Sequence, residues 1–251
     1  MSYVIAVAGK GGTGKSTISS LIVRSLLKRG ETPVLAVDAD PNSNLAESIG
    51  INIEDTIGTV LSDYMRQRMD LPQGMTKQAF LEMKLHQILK ENESMDMLVM
   101  GCPEGSGCYC GANAILKSYF EDLKKNYKFV VVDNEAGMEH FSRKTAADID
   151  LLLFVSNYSK KGVVTVDRLS KMIDDLKLSV KNRYLLINQT PEELDKGFLA
   201  EVEKTGIPYF GNLVMDKMIE DYDVKGIPLT DLPDESITVK KFEEMLWKRI
   251  N

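Results

Sequence analysis

Eight residues near the start of the chain, Gly9-Lys10-Gly11-Gly12-Thr13-Gly14-Lys15-Ser16, have the types and spacing of a loop that holds phosphate. The glycines let the backbone turn tightly, so that successive N–H groups converge on an anion. Lys15 sets a compact positive charge where β- and γ-phosphates would lie, and the Ser16 hydroxyl can ligate the Mg²⁺ that bridges them. The chemistry implied is binding of a nucleoside triphosphate. A glycine-rich turn with incidental lysines is the bland alternative, and the strand, loop and helix around the motif argue against it.

A second constellation is thiol chemistry. All 3 cysteines, Cys102, Cys108 and Cys110, fall in Gly101-Cys102-Pro103-Glu104-Gly105-Ser106-Gly107-Cys108-Tyr109-Cys110-Gly111. Clustered cysteines in a cytosolic chain read more readily as metal-binding or redox-active than as a structural disulfide, and a Cys108–Cys110 bond would close a strained ring. A Cys-x-Cys pair offers two soft ligands to zinc, nickel or copper and leaves a tetrahedral site half empty. A two-fold dimer would bring a second pair to the axis and complete it. The competing reading is two small buried cysteines at a loop–helix junction.

The third group is acidic. Asp38 and Asp40 follow one apolar run and Asp133 ends another, where a carboxylate can hold a metal-bound water or orient the attacking one; each can also simply cap a helix or begin a turn.

These residues need strands to carry them. Short apolar runs at Tyr3–Ala8, Pro33–Asp38, Met95–Met100, Lys128–Asp133, Leu151–Ser156, Arg183–Asn188 and Ile207–Val214 alternate with helical patterns. Nearly continuous apolar strands imply a mostly parallel sheet with helices on both faces, an α/β fold whose ligands gather at the carboxyl ends of the strands. Ile18, Leu21, Ile22 and Leu26 mark the helix after the loop, with a stop at Gly30. Residues 56–93 read as a helical insertion, with polar helices around Leu61–Met69 and Lys77–Leu89. No linker or repeat interrupts the 251 residues, so a single domain is expected.

Composition narrows the class. A formal net charge of −6 argues against broad nucleic-acid binding, though not against a local basic patch. No apolar run is long enough for a membrane span, and the first strand begins too early to leave room for a signal peptide, so cytoplasmic residence is the expectation. The C-terminal stripe Val239, Phe242, Leu246 and Ile250 could serve a membrane-surface helix, but Glu243 and Glu244 dilute its basic face and favour docking on the sheet with Trp247.

The signature Lys10-Gly11-Gly12-Thr13-Gly14-Lys15-Ser16-Thr17 resembles the deviant Walker A ATPases, which include nitrogenase iron protein, the Min and Par ATPases and metal-cofactor maturation factors. Within that group, Pro103–Cys110 and Asp133-Asn134-Glu135-Ala136-Gly137-Met138-Glu139-His140 resemble the CooC-type accessory ATPases, which assist nickel insertion into carbon monoxide dehydrogenase and whose relatives serve acetyl-CoA synthase. The resemblance implies ATP and ADP as nucleotides, Mg²⁺, and Ni²⁺ with Zn²⁺ as a possible substitute. It implies a nucleotide-dependent homodimer in which Lys10 reaches the phosphates of the opposite subunit, with the dehydrogenase or synthase as client. Gly11 through Thr17 form the phosphate cradle in this likeness, with Lys15 and Ser16 as the loop lysine and magnesium ligand. Asp40 is expected to position or activate water with Asp38 near the metal, Asp133 to hold a magnesium-bound water, and Gly137 to sense the γ-phosphate. Asn188 would read the adenine edge, and the chain around Met215 would complete the base pocket. Cys108 and Cys110 would hold the transported metal at the dimer interface.

Departures matter as well. No cysteine follows Gly137, where the nitrogenase iron protein would place a second cluster ligand. His140 and His86 read as hydrogen-bonding or solvent-facing residues. The runner-up readings are a Min/Par-type positioning switch and an iron–sulfur scaffold ATPase.

Overall fold

The computed structural model describes residues 2–40, 44–67, 74–102, 110–135 and 148–250. Seven strands form one sheet: β1 (Tyr3–Ala8), β2 (Val34–Ala39), β3 (Met95–Val99), β4 (Phe129–Asn134), β5 (Ile149–Asn157), β6 (Val180–Thr190) and β7 (Tyr209–Val214). Their order is β3-β2-β4-β1-β5-β6-β7, and every neighbouring pair is parallel. All seven expected strands form, β1 with the expected bounds and the others with shifted ends.

Parallel strands covered on both faces should alternate between two cores, and β1 shows it. Val4, Ala6 and Ala8 face the layer of helices α3 (Ile57–Gln67), α4 (Lys77–Gln87), α5 (Cys110–Leu123), α6 (Lys160–Asp175) and α7 (Lys196–Lys204). Ile5 and Val7 face the opposite core with α1 (Lys15–Lys28), α2 (Asn44–Ser48) and α9 (Ile237–Trp247), and α8 (Lys217–Lys225) packs at its edge. The stripe Ile18, Leu21, Ile22 and Leu26 is buried as its spacing requires, and Gly30 follows the helix in the left-handed conformation.

Helix α3 begins at Ile57, four residues before the expected start. Thr56 and Thr59 exchange hydrogen bonds, Thr59 N–H donating to Thr56 Oγ1 at 3.2 Å and Thr56 N–H to Thr59 Oγ1 at 2.9 Å. This reciprocal cap uses threonine where a capping box has Glu or Gln, so the sequence pattern did not announce it. Helix α5 starts at Cys110, within the cysteine-bearing stretch.

The C-terminal helix lies on the sheet. Val239, Phe242 and Leu246 are buried, and Trp247 donates its indole N–H to Ser25 Oγ at 2.8 Å beneath the Arg29 guanidinium. Among the described residues no helix is long and apolar enough to cross a membrane.

One buried cation binds this end of the chain to α1. Arg24 is 1% exposed and donates to the Leu232 carbonyl from Nε at 2.9 Å and Nη2 at 2.7 Å, to Glu243 Oε1 at 2.8 Å, and to Asp234. The planar fork suits this multiple grip, whereas a lysine would satisfy one partner at a time. Arg24→Met leaves the Leu232 carbonyl without donors and should lower the unfolding free energy by about 1–3 kcal/mol in urea titrations. The exposed Asp234 adds little to that figure.

Candidate functional site

The phosphate loop leaves β1 at the centre of the sheet, between β4 and β5. Gly9 is obligatory because a Cβ there would lie 2.1 Å from the Val155 carbonyl oxygen of β5, which is backbone and cannot yield. Gly14, the residue before α1, has φ +86° and lies against Asn188, whose amide nitrogen would be 2.4 Å from a Cβ. The loop is closed internally by Thr13 Oγ1 donating to the Lys10 carbonyl at 2.8 Å.

Gly11, Gly12, Gly14, Lys15, Ser16 and Thr17 line a cavity of about 600 Å³, whose acidic wall includes Asp40 and Glu47. Lys15 is buried and Lys10 is exposed outside this cavity. The structure therefore brings together the loop and Asp40, and places Lys10 where it does not face its own chain's site.

Two buried carboxylates stand behind the loop. Asp38 on β2 is in register with Asp133 on the neighbouring β4, and both are completely buried. Asp38 Oδ1 accepts from Asp40 N–H at 3.0 Å and Oδ2 from Leu45 N–H at 2.9 Å, so its side chain holds both edges of the segment that follows β2. Its carbonyl accepts from Met100 N–H at 2.8 Å, at the root of the cysteine-bearing segment. Asp133 Oδ2 accepts from Ser16 Oγ at 2.6 Å, while Oδ1 is buried with no hydrogen-bond partner. That orphaned oxygen beside the Ser16 hydroxyl fits a hydrated Mg²⁺.

Burial pushes the Asp38 carboxyl up to about 7, with the neighbouring Asp133 charge raising it further and the Asp40 and Leu45 N–H groups opposing. Burial pushes Asp133 up to about 6 against the lowering effects of Ser16 and Lys15.

Asn188 at the end of β6 is buried and donates from Nδ2 to the Thr13 carbonyl at 3.0 Å. It thus braces the phosphate loop, a contact its expected base-reading role did not foresee. Met215 is 63% exposed and is not part of the cavity lining. The wall on that side comes instead from Gln189, Asp223, Gly226, Ile227 and Leu229, and α2 adds Asn44, Glu47 and Ser48. The sequence held one usable signal for this wall: Asp216 caps α8 by accepting from Met218 N–H at 2.9 Å, and Gly226 ends it with φ 62°.

The cysteine segment is described only at its ends. Cys102 is a free, exposed thiol, and its backbone packs so closely on Gly58 of α3 that a Cβ at 58 would lie 2.5 Å from the Cys102 carbonyl carbon. Gly58 N–H donates to the Met100 carbonyl at 2.8 Å. Cys108, the Cys110 side chain, Gly137 and His140 lie outside the described residues. Among the described residues no group of three or more His, Cys, Asp or Glu is placed to hold a metal. His86 is exposed on α4 and meets Tyr119 edge-on at 5.0 Å.

A parallel sheet with a phosphate loop after its central strand and carboxylates at the ends of the adjacent strands defines a P-loop nucleotide-binding protein. The model of the CobQ/CobB/MinD/ParA nucleotide binding domain matches residues 4–229, and the chain belongs to that ATPase family. An uncharacterised ATP-binding protein of Methanocaldococcus jannaschii is 40% identical over 99% of this chain and 98% of its own. The carbon monoxide dehydrogenase accessory protein CooC of Rhodospirillum rubrum is 30% identical over 91% of this chain and 89% of its own. The septum site-determining protein MinD of Pyrococcus horikoshii, solved with Mg-ADP, superposes with a TM-score of 0.70 over 99% of this chain and 96% of that one at 18% identity, a likeness of fold.

Asn188→Ala removes the donor that satisfies the Thr13 carbonyl. Nucleotide affinity measured by calorimetry should fall by about tenfold, roughly 1.4 kcal/mol, and the orphaned carbonyl should lower the thermal midpoint of the ligand-free protein by about 2–4 °C. The carboxyl pair predicts a pH effect of definite sign. As pH rises above the ordinary value of 3.8 the unfolded chain releases its protons first, so the stability these groups contribute in acid is lost as pH passes through about 6 and about 7. In denaturant titrations of nucleotide-free protein, Asp133→Asn should therefore gain stability relative to wild type between pH 5 and pH 8.

Proposed function

We propose that the chain is an ATP-driven maturation factor that loads nickel into a client enzyme of the carbon monoxide dehydrogenase or acetyl-CoA synthase class. The observation that carries this reading is the shared anchor at Asp38. Its side chain holds Asp40 and Leu45 at the nucleotide cavity, and its carbonyl holds Met100 at the root of the segment that bears Cys108 and Cys110. A change at one is thereby mechanically joined to the other. The 30% identity to the Rhodospirillum rubrum accessory protein supports the same assignment.

In this mechanism Lys15 and the loop N–H groups bind the phosphates of ATP, and Asn188 keeps the loop in shape. Mg²⁺, held through Ser16 and Asp133, supplies charge neutralisation between the β- and γ-phosphates when bound. Asp40 orients the attacking water, and Gly137 senses the γ-phosphate. Lys10, facing out of its own site, reaches the nucleotide of a second copy and closes a homodimer. The two Cys108–Cys110 pairs then meet over one Ni²⁺, the cargo, for which Zn²⁺ is a competing occupant. Loss of the γ-phosphate releases the segment after Asp38 and loosens the dimer, so the metal passes to the client in the cytoplasm.

Activation of nickel-free client should require this protein, ATP and Ni²⁺ together. Cys108→Ala/Cys110→Ala should abolish activation and bound nickel while ATP binding persists. Equal nickel uptake by that variant, or activation with ADP alone, would refute the proposal.

A further inference from the structure

Where strand β6 reaches the nucleotide cavity its pairing slips by one residue. Ile187 stands opposite Asn212 and Thr190 opposite Val214, so three steps along β6 answer two along β7, and Gln189 sits in the slip with φ 55°. Residues other than glycine rarely hold that left-handed conformation, and it persists only where the neighbours enforce it. Both neighbours do. Asn188 donates to the Thr13 carbonyl at 3.0 Å. Thr190 Oγ1 donates to the Leu213 carbonyl at 3.2 Å, and the Thr190 carbonyl accepts from Met215 N–H at 3.1 Å.

The slip changes what two consecutive side chains can do. In a regular strand they point to opposite faces, yet here Asn188 braces the phosphate loop and Gln189 lines the cavity beside that loop. Asp223 lines the same cavity from the last turn of α8, a helix with no buried residue that ends at Gly226. The carbonyl end of a helix and a carboxylate together make this wall an acceptor of hydrogen bonds. Among the described residues neither the Gln189 amide nor the Asp223 carboxylate has a hydrogen-bond or ion-pair partner. Ile227, 38% exposed, adds apolar surface to the same wall.

We propose that Gln189 and Asp223 select the base of the bound nucleotide by reading the edge of adenine that carries its exocyclic amine and N7. The Gln189 amide accepts from the N6 amine and donates to N7, the paired contact that suits glutamine to adenine. Asp223 accepts the second hydrogen of the same amine. Guanine and hypoxanthine carry an oxygen at position 6, so along that edge they present only acceptors. A wall that offers a carboxylate and a single amide donor repels them. Asn188, already committed to Thr13, holds the loop instead of choosing the base. The inference rests on the reading of this cavity as the ATP site and does not require the nickel cargo.

The test is calorimetric titration of the full chain with the Mg²⁺ complexes of ATP, 7-deaza-ATP, ITP and GTP. Wild type should bind ATP about threefold more tightly than 7-deaza-ATP, which lacks the N7 acceptor, and at least about tenfold more tightly than ITP or GTP. Gln189→Gly suits the left-handed backbone, so its thermal midpoint should not fall, yet it should bind ATP and 7-deaza-ATP equally. Asp223→Asn gives an oxygen at position 6 a donor and should cut the preference for ATP over ITP by about tenfold. Equal binding of ATP and ITP by wild type overturns the proposal, as do preferences that neither variant changes. So does a Gln189→Gly variant that weakens every nucleotide alike, which is the behaviour of a brace such as Asn188. Failure of every nucleotide to bind would sink the reading of the cavity and the proposal with it, whereas equal binding of all of them sinks the base selection alone.

Discussion

Two carboxylates share the interior of this protein side by side, Asp38 on β2 and Asp133 on β4, and the rest of the site is arranged around the cost of keeping them there. Parallel strands in register put them opposite one another, and burial drives both toward the protonated form. The surroundings answer with donors. Asp38 takes two backbone N–H groups from the segment that follows it, and Asp133 takes the Ser16 hydroxyl. What remains unanswered is Asp133 Oδ1, and a hydrated cation is the natural group to complete it. The ligand-free fold thus carries an unmet electrostatic demand at the place where a nucleotide brings its metal.

That pair also ties the nucleotide cavity to Met100, the residue that follows β3. Adjacent strands β2 and β3 end together, so the Asp38 carbonyl meets Met100 while its side chain reaches Asp40 and Leu45. Helix α3 then locks onto the same place, with Gly58 seated on the Cys102 backbone too closely for any side chain. The insertion is therefore keyed into the root of the cysteine segment rather than laid loosely over the sheet.

The fold was legible because its strands are apolar on both faces, and only a parallel sheet between two helical layers requires that. The phosphate loop was legible because glycine and lysine at those spacings leave few other uses. What the sequence hid were contacts between distant segments. Asn188 gives its amide to a carbonyl 175 residues earlier, and no local pattern marks a brace of that kind. The wall formed by Gln189, Asp223, Gly226, Ile227 and Leu229 was hidden because its shape depends on where α8 docks, not on any motif of its own. The early start of α3 was missed because two threonines did the work usually given to Ser or Thr with Glu.

Arg24 has a consequence for how the protein is made. Residues 9–17, which cradle phosphate, leave the ribosome early, whereas Leu229 of the facing wall is secured through Arg24 to Leu232, Asp234 and Glu243. Domains fold as units. The cradle itself waits on later segments, because Gly9 packs against the Val155 carbonyl and Asn188 braces Thr13, so loop and wall come together only in the assembled sheet.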